Sequence, residues 1–454
     1  MPVSKSFEER LHKSLPQIIE KFGTPFHIYD GPGIHDTLRD MKETFRLRNL
    51  SFKEFYAVKA LPKPAIMEII KDEQCGFDCS SIPELRLARN AGAKPEDIMF
   101  TANNVKKGEF REALDHGGCI MNLDGIEYIP KLEALCREIT RPFPELICFR
   151  LNPGTRKTGD SVNSIIGNPV DAKYGVPIED IVEAYRAIQK IAEQQTNQDR
   201  KKQRYGLHTM VCSNDRDYTH MVATYRLLLE VAAQLKKELG IELEFVNVGG
   251  GLGIPYRPGD TAFDLKAFAD ECYKLTMAFA QEHGYAPAIF MESGRYVTGP
   301  HGVLINRVIN VFKKYKNYVG IEVAMPALMR VGMYPTSAYH HCILLNPDGS
   351  PIEEGSRPII KVTIVGSICE NCDVLARDVE MPEPREGDLI MTCDTGAHGS
   401  AMCFNYNGRE RIQELLEGFY GNVRRICRAE TYDDLDIRHQ GLEGQEHRLK
   451  VSNN

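Results

Sequence analysis

No stretch of the 454-residue sequence approaches the roughly 18 uninterrupted apolar residues of a membrane span, so a helical membrane protein is excluded. The opening MPVSKSFEERLHKSL also lacks an apolar core of signal-peptide length, and a soluble, cytoplasmic protein is expected. Positive charge is not in excess: 56 Lys and Arg stand against 63 Asp and Glu, for a formal net charge of -7. That balance argues against general affinity for nucleic acid or anionic membrane and points to a small-molecule partner. Thirteen cysteines are present, but they lack the spacing of a disulfide framework, which suits a reducing compartment and mostly buried thiols. Cys369 and Cys372, in CENC, have the C-x-x-C spacing of redox and zinc sites. No second such pair accompanies them, and no metal is expected.

What is present is an alternation. Short apolar runs lead into helix-like stretches: EFYAVKA then PAIMEIIKDE, CGFDCSS then PELRLARNAG, DIMFTAN then KGEFREALDHG, and CIMNLD then YIPKLEALCREI. The strand series continues through ELICFRLNP, RYGLHTMVCS, LEFVNVGGGLG and PAIFMESGR, eight strand candidates between residues 51 and 295. Repeated β-then-α units imply parallel strands with helical crossovers. The span fits a (β/α)8 barrel, although a doubly wound sheet would alternate in the same way. Beyond Gly299 the runs GVLINRVINVFKK, IIKVTIVGSIC and GDLIMTCDTG are separated by turn residues without intervening helices, which predicts an antiparallel β domain. The expected division is a barrel over 39–299 and a β domain over 300–454, to which residues 1–38 contribute. The polar stretch 190–204 reads as an exposed helix end or insertion.

Three features carry possible chemistry. In FYAVKALPKP, a buried-strand pattern runs into Lys59. Such a lysine either snorkels its charge to water or, partly desolvated, serves as an amine nucleophile toward an aldehyde. VGGGLG, from Val248 to Gly253, is either a tight turn or a set of backbone N–H groups offered to a phosphate. ESGR, from Glu292 to Arg295, is either a surface ion pair or part of a site. On a barrel, the C-terminal ends of strands converge on one face. An amine for an aldehyde, amides for a phosphate and a carboxylate for a ring nitrogen are together what pyridoxal phosphate requires.

These motifs, with LNPG (151–154), KYG (173–175), LMRVGMY, VGSICENCD and DTGAHGSAMCFNYNGR, resemble the alanine-racemase-like barrel decarboxylases, and within them the diaminopimelate decarboxylase family, over nearly the whole chain. The resemblance implies pyridoxal phosphate as cofactor, an amino acid as substrate and a homodimer with shared active sites. It makes Lys59 the lysine joined to the cofactor and Glu292 the partner of its ring nitrogen. Gly249, Gly250, Gly251 and Ser213 would hold the phosphate. Arg295, Arg330 and Tyr334 would bind phosphate or a substrate carboxylate. Cys369, contributed by the neighbouring subunit, would be the general acid, and Glu370 beside it would take the distal ammonium of a dibasic substrate.

Three departures stand out. HTMVCS puts Met210 where the family has the histidine that stacks on the cofactor, and Cys212 in place of a glycine. GAHG puts His398 where a tyrosine is usual near the cofactor, and a histidine there would titrate near neutrality. MPAL at 325–328 replaces M-N-D-L. The leading expectation is decarboxylation of meso-diaminopimelate to L-lysine. The alternatives are a divergent decarboxylase or racemase acting on another amino acid in a specialised pathway, and a catalytically weak cofactor-binding protein.

Overall fold

The computed structural model describes residues 4–154, 171–194 and 202–439. Of the polar stretch at 190–204, residues 195–201 lie outside the described residues, as do 440–454 of the C-terminal domain. The elements follow in order α1 (Lys5–Phe22), β1 (Phe26–Asp30), α2 (Gly31–Arg46), β2 (Phe52–Ala57), α3 (Pro64–Asp72), β3 (Gly76–Cys79), α4 (Ile82–Asn90), β4 (Ile98–Thr101), α5 (Lys107–Leu114), β5 (Ile120–Leu123), α6 (Tyr128–Glu138), β6 (Leu146–Asn152) and β7 (Val176–Pro177). Next come α7 (Ile181–Gln194), β8 (Arg204–His208), α8 (Tyr218–Leu239), β9 (Phe245–Asn247), α9 (Leu265–His283), β10 (Ala288–Met291) and α10 (Gly294–Thr298). The remainder is strand-rich: β11 (Gly302–Lys313), β12 (Asn317–Ile321), α11 (Arg330–Met333), β13 (Cys342–Leu345), β14 (Ile359–Val365), β15 (Val374–Pro382), β16 (Leu389–Thr392), β17 (Gln413–Glu417) and β18 (Val423–Cys427).

Strands β2, β3, β4, β5, β6, β8, β9 and β10 pair in parallel, and β10 returns to β2, closing an eight-stranded barrel. Seven fall within the apolar runs read from the sequence, and β2 overlaps the eighth, starting at Phe52 ahead of EFYAVKA. Period-2 geometry sends alternate side chains inward, where Phe55, Met99, Ile120, Cys148 and Phe245 form one buried cluster. Phe245 stacks on Phe290 with ring centroids 4.2 Å apart, and Phe55 lies 4.9 Å from Phe290. This aromatic plug fills the barrel interior. The outward faces meet helices whose apolar residues recur at helical spacing, as with Ile34, Leu38, Met41 and Phe45 of α2.

The second sheet runs β15-β14-β12-β11-β1-β17-β18, with β16 on β11 and β13 on β16. It is mixed: most pairs are antiparallel, as expected, but β1–β17 and β12–β14 are parallel. The parallel pair β1–β17 arises because β1 enters from the start of the chain and lies between β11 and β17. One face of this sheet is covered by α1, whose Phe7, Leu11, Leu15 and Ile18 pack on Phe26, Ile28, Val303 and Leu415. Among the described residues, no helix is long and apolar enough to cross a membrane.

Helices α2 and α3 are clamped by Glu73. Its carboxylate lies 2.8 Å from His35 Nδ1, 2.8 Å from Arg39 and 2.9 Å from Lys42 Nζ. Burial alone would raise its pKa, but Lys42, His35 and Arg39 outweigh it and bring it from the ordinary 4.5 to about 2. A carboxyl held below its unfolded value adds stability above that unfolded value, and loses it as pH falls toward the folded one. Glu73→Gln should therefore melt at a lower temperature than wild type near neutral pH. The gap should close between pH 4.5 and about 2, as followed by thermal melts across that range.

Candidate active site

The polar residues ending the barrel strands collect at the C-terminal mouth. β2 stops at Ala57, and Lys59 stands in a short helical turn, Val58–Ala60, not on the strand itself. Its side chain is exposed, so the partial desolvation expected at a strand end is absent and its amine is open to an incoming molecule. Pro64 at the first turn of α3 then starts the next helix. The Lys59 ammonium acts electrostatically on Asp78, Glu292 and His398, which places the four groups around one opening.

Glu292 is buried just past β10. Its carboxylate accepts from Asn247 Nδ2 at 2.8 Å and lies 3.3 Å from His208 Nε2. Burial opposes its charge, yet His208, Lys59 and Arg150 prevail and lower its pKa, so it stays ionised. Asp78, at the end of β3, is pushed well upward by burial and by Glu292. The mouth thus holds one ionised and one protonated carboxyl.

The glycine loop is wedged between two neighbouring strand ends. A Cβ at Gly249 would lie 2.5 Å from the Thr209 carbonyl, at Gly250 2.3 Å from the Glu292 carbonyl, and at Gly251 2.6 Å from the Cys212 carbonyl. Gly249 and Gly251 also have φ of 74° and 100°, where a side chain would be strained. The Gly249 N–H donates to Asn247 Oδ1 at 2.8 Å, and the Gly250 N–H to the Met210 thioether at 3.0 Å. Met210 is thereby fixed against the loop. Asp215 donates its N–H to the Gly251 carbonyl at 2.9 Å and accepts from the Gly253 N–H at 2.7 Å, which zips the segment carrying Ser213 alongside the glycines.

Arg295 and Arg330 both donate to the Tyr256 hydroxyl, Arg330 at 2.8 Å. Arg330 also reaches His340 Nε2 at 3.1 Å, while His340 Nδ1 faces the Cys393 carbonyl at 2.8 Å. Burial and Arg330 push His340 to about 3, so it is a neutral acceptor. Two guanidiniums that share one phenol oxygen keep further N–H donors for an anion. Tyr334, at the end of α11, is 45% exposed. His398 has φ of 56° and donates its N–H to the Ala60 carbonyl at 2.8 Å, tying the β domain to the Lys59 turn. Burial, with Arg295, Arg330 and Lys59, pushes it well below 6.5. The titration near neutrality expected for this histidine is thus corrected: it is neutral.

Cys369 and Glu370 are exposed on the loop between β14 and β15. Their contacts are with Asn407, whose Oδ1 accepts the Cys369 N–H at 2.8 Å, and with Tyr406, whose phenol is raised by Glu370. The loop itself is fixed by Asp373, which accepts the N–H groups of Met325 at 2.8 Å and Ile368 at 3.0 Å. Asp78, Asn247, Arg150, Tyr256 and His340 were not singled out from the sequence. The first three lie on barrel strands, in CGFD, FVN and CFR. Asking which polar residue lies near each strand's end would have found them.

The residues at this mouth fit pyridoxal phosphate: an accessible amine, a glycine cradle that Cβ atoms would fill, an ionised buried carboxylate, and a buried His208 whose Nδ1 has no hydrogen-bond partner. Residues 33–299 match the pyridoxal binding domain of the pyridoxal-dependent decarboxylases. The chain is 41% identical to Protein TabA of Pseudomonas amygdali pv. tabaci over 434 residues, covering 96% of this chain and 95% of that protein. It is 31% identical to a diaminopimelate decarboxylase of Methanothermobacter thermautotrophicus, over 92% of each. The crystal structure of diaminopimelate decarboxylase from M. jannaschii, in complex with L-lysine, superposes with a TM-score of 0.82 at 28% identity, over 93% of each chain.

Proposed function

This chain belongs to the pyridoxal-dependent decarboxylase family, and from that premise we propose that it removes the α-carboxylate of an amino acid carrying a second, distal amino group, working as a homodimer with shared sites. It is an amino-acid decarboxylase with pyridoxal phosphate as cofactor. When bound, the cofactor supplies an electron sink for the electron pair left behind by CO2. Lys59, Ser213, the glycines 249–251 and Glu292 would hold it, with Met210 and His398 lining its surroundings.

The supporting observation is the convergence of Lys59, Glu292, Asp78 and His398 on one opening, with Arg295 and Arg330 beside it. Glu292, kept ionised, would hold a proton on a ring nitrogen. Asp78, protonated, adds no second negative charge. Arg295 and Arg330, with Tyr334, would orient an anionic group of cofactor or substrate. Cys369 would deliver the proton to the product carbon, and Glu370 would read the distal ammonium.

Diaminopimelate is the substrate favoured by the 31% identity to a diaminopimelate decarboxylase and by the L-lysine bound in the M. jannaschii enzyme. A different amino acid is favoured by Met210 and His398, which change the chemistry of the mouth. Incubating the loaded enzyme with L-, D- and meso-amino acids while measuring CO2 and amine decides between them. Release from meso-diaminopimelate alone supports the first reading, release from another amino acid the second, and release from none overturns both.

Glu370→Gln tests the distal-amine role. A carboxylate facing an ammonium in a closed site makes a charge-assisted bond worth about 1.5–3 kcal/mol. Formed equally in ground and transition states, its loss should raise the Michaelis constant roughly 10- to 150-fold with turnover nearly unchanged. The rise should be confined to substrates with a distal amine. An unchanged Michaelis constant would remove Glu370 from this role.

A further inference from the structure

Glu54 is a carboxylate the mechanism above does not use. It lies on β2, paired in register with Met291 of β10, and is 1% exposed. Phe55 faces the barrel interior, so Glu54, one residue earlier, faces outward. There its Oε1 accepts the backbone N–H of Ser293, the residue directly after Glu292, while its Oε2 has no hydrogen-bond partner. A buried carboxylate with one oxygen unpaired is costly. Burial pushes Glu54 up to about 8, the Ser293 bond opposing and Glu292 adding to the rise.

The rest of the turn is held by backbone bonds: the Glu292 N–H donates to the Gly249 carbonyl at 2.9 Å, and the Gly294 N–H to the Glu292 carbonyl at 3.1 Å. Glu54 adds a side-chain grip from the outward face of the barrel wall. We propose that Glu54 is a positioning residue that holds the strand-end turn through the Ser293 N–H and so fixes where the Glu292 carboxylate points. The inference rests on the reading that Glu292 meets the cofactor's ring nitrogen.

Two measurements on the cofactor-loaded enzyme test it. Glu54→Leu should speed amide hydrogen exchange of the peptide spanning 290–296 by roughly 10-fold, the loss of one buried hydrogen bond. The cofactor dissociation constant should rise by a similar factor of roughly 10. Glu54→Gln, whose amide oxygen still accepts the N–H, should stay near wild type in both. Should Glu54→Leu fail to fold, Ser293→Pro removes the same N–H at a φ of -85° that proline tolerates, and should give the same two changes.

Unchanged exchange overturns the grip. Faster exchange with an unchanged dissociation constant overturns the positioning role, provided that Glu292→Gln shifts that constant. A Glu292→Gln enzyme that binds the cofactor as wild type does overturns the ring-nitrogen reading instead, and exchange still judges the grip.

Discussion

Lys59→Ala should lower turnover by roughly 100- to 10,000-fold, the range for loss of a group that acts directly on the reacting atoms. Borohydride reduction of the loaded wild-type enzyme should leave the pyridoxyl group on the peptide containing Lys59. The chain offers a neighbouring competitor in Lys63, but its ammonium is bound to buried Glu414 at 2.5 Å, whereas the Lys59 side chain is exposed at the mouth. Lys63→Ala should therefore leave the labelling pattern unchanged. Recovery of the label on another lysine, or on none, would overturn the assignment of the barrel mouth as the active site.

Mixing inactive Lys59→Ala subunits with inactive Cys369→Ala subunits should restore activity to about a quarter of wild type. Equal mixing makes half of the dimers mixed, each with one intact site. An acid that protonates a carbanion must meet it away from water, and Cys369 with Glu370 lies on the surface of the single chain. A second chain covering this loop would supply the enclosure. Subunit exchange is followed by mass or by a tag on one variant. Absence of recovery despite exchange would contradict a shared site.

Much of the barrel was legible because its signals are local. Each strand is a short apolar run followed by a helix of matching period, and FYA, GFD, IMFT and IFM all announce themselves without reference to distant residues. The glycine loop and ESGR stood out as local motifs, and the fold brings them together at the ends of neighbouring strands. Other parts depend on partners far away in sequence. That β17 pairs parallel to β1 depends on Phe26 meeting Gln413, which no window around either residue records. The neutrality of His398 comes from Arg295, Arg330 and Lys59 gathering about a buried ring, and its type alone predicts the opposite. Asp78 has an ordinary carboxylate's sequence context, and its raised pKa exists only once folding buries it and brings Glu292 beside it.

The position of β1 bears on how the chain is made. A ribosome releases FHIYD early, but the strands that flank it, β11 and β17, emerge only after the whole barrel has been synthesised. Barrel strands 52–291 can close on one another as they appear, while β1 and the apolar stripe of α1 wait without a sheet to join. Such non-local pairing is slow and leaves sticky surface uncovered in the interval. Residues 5–30 thus stay unpaired until the last strands emerge, and deletions there would leave the last-made sheet without an interior strand.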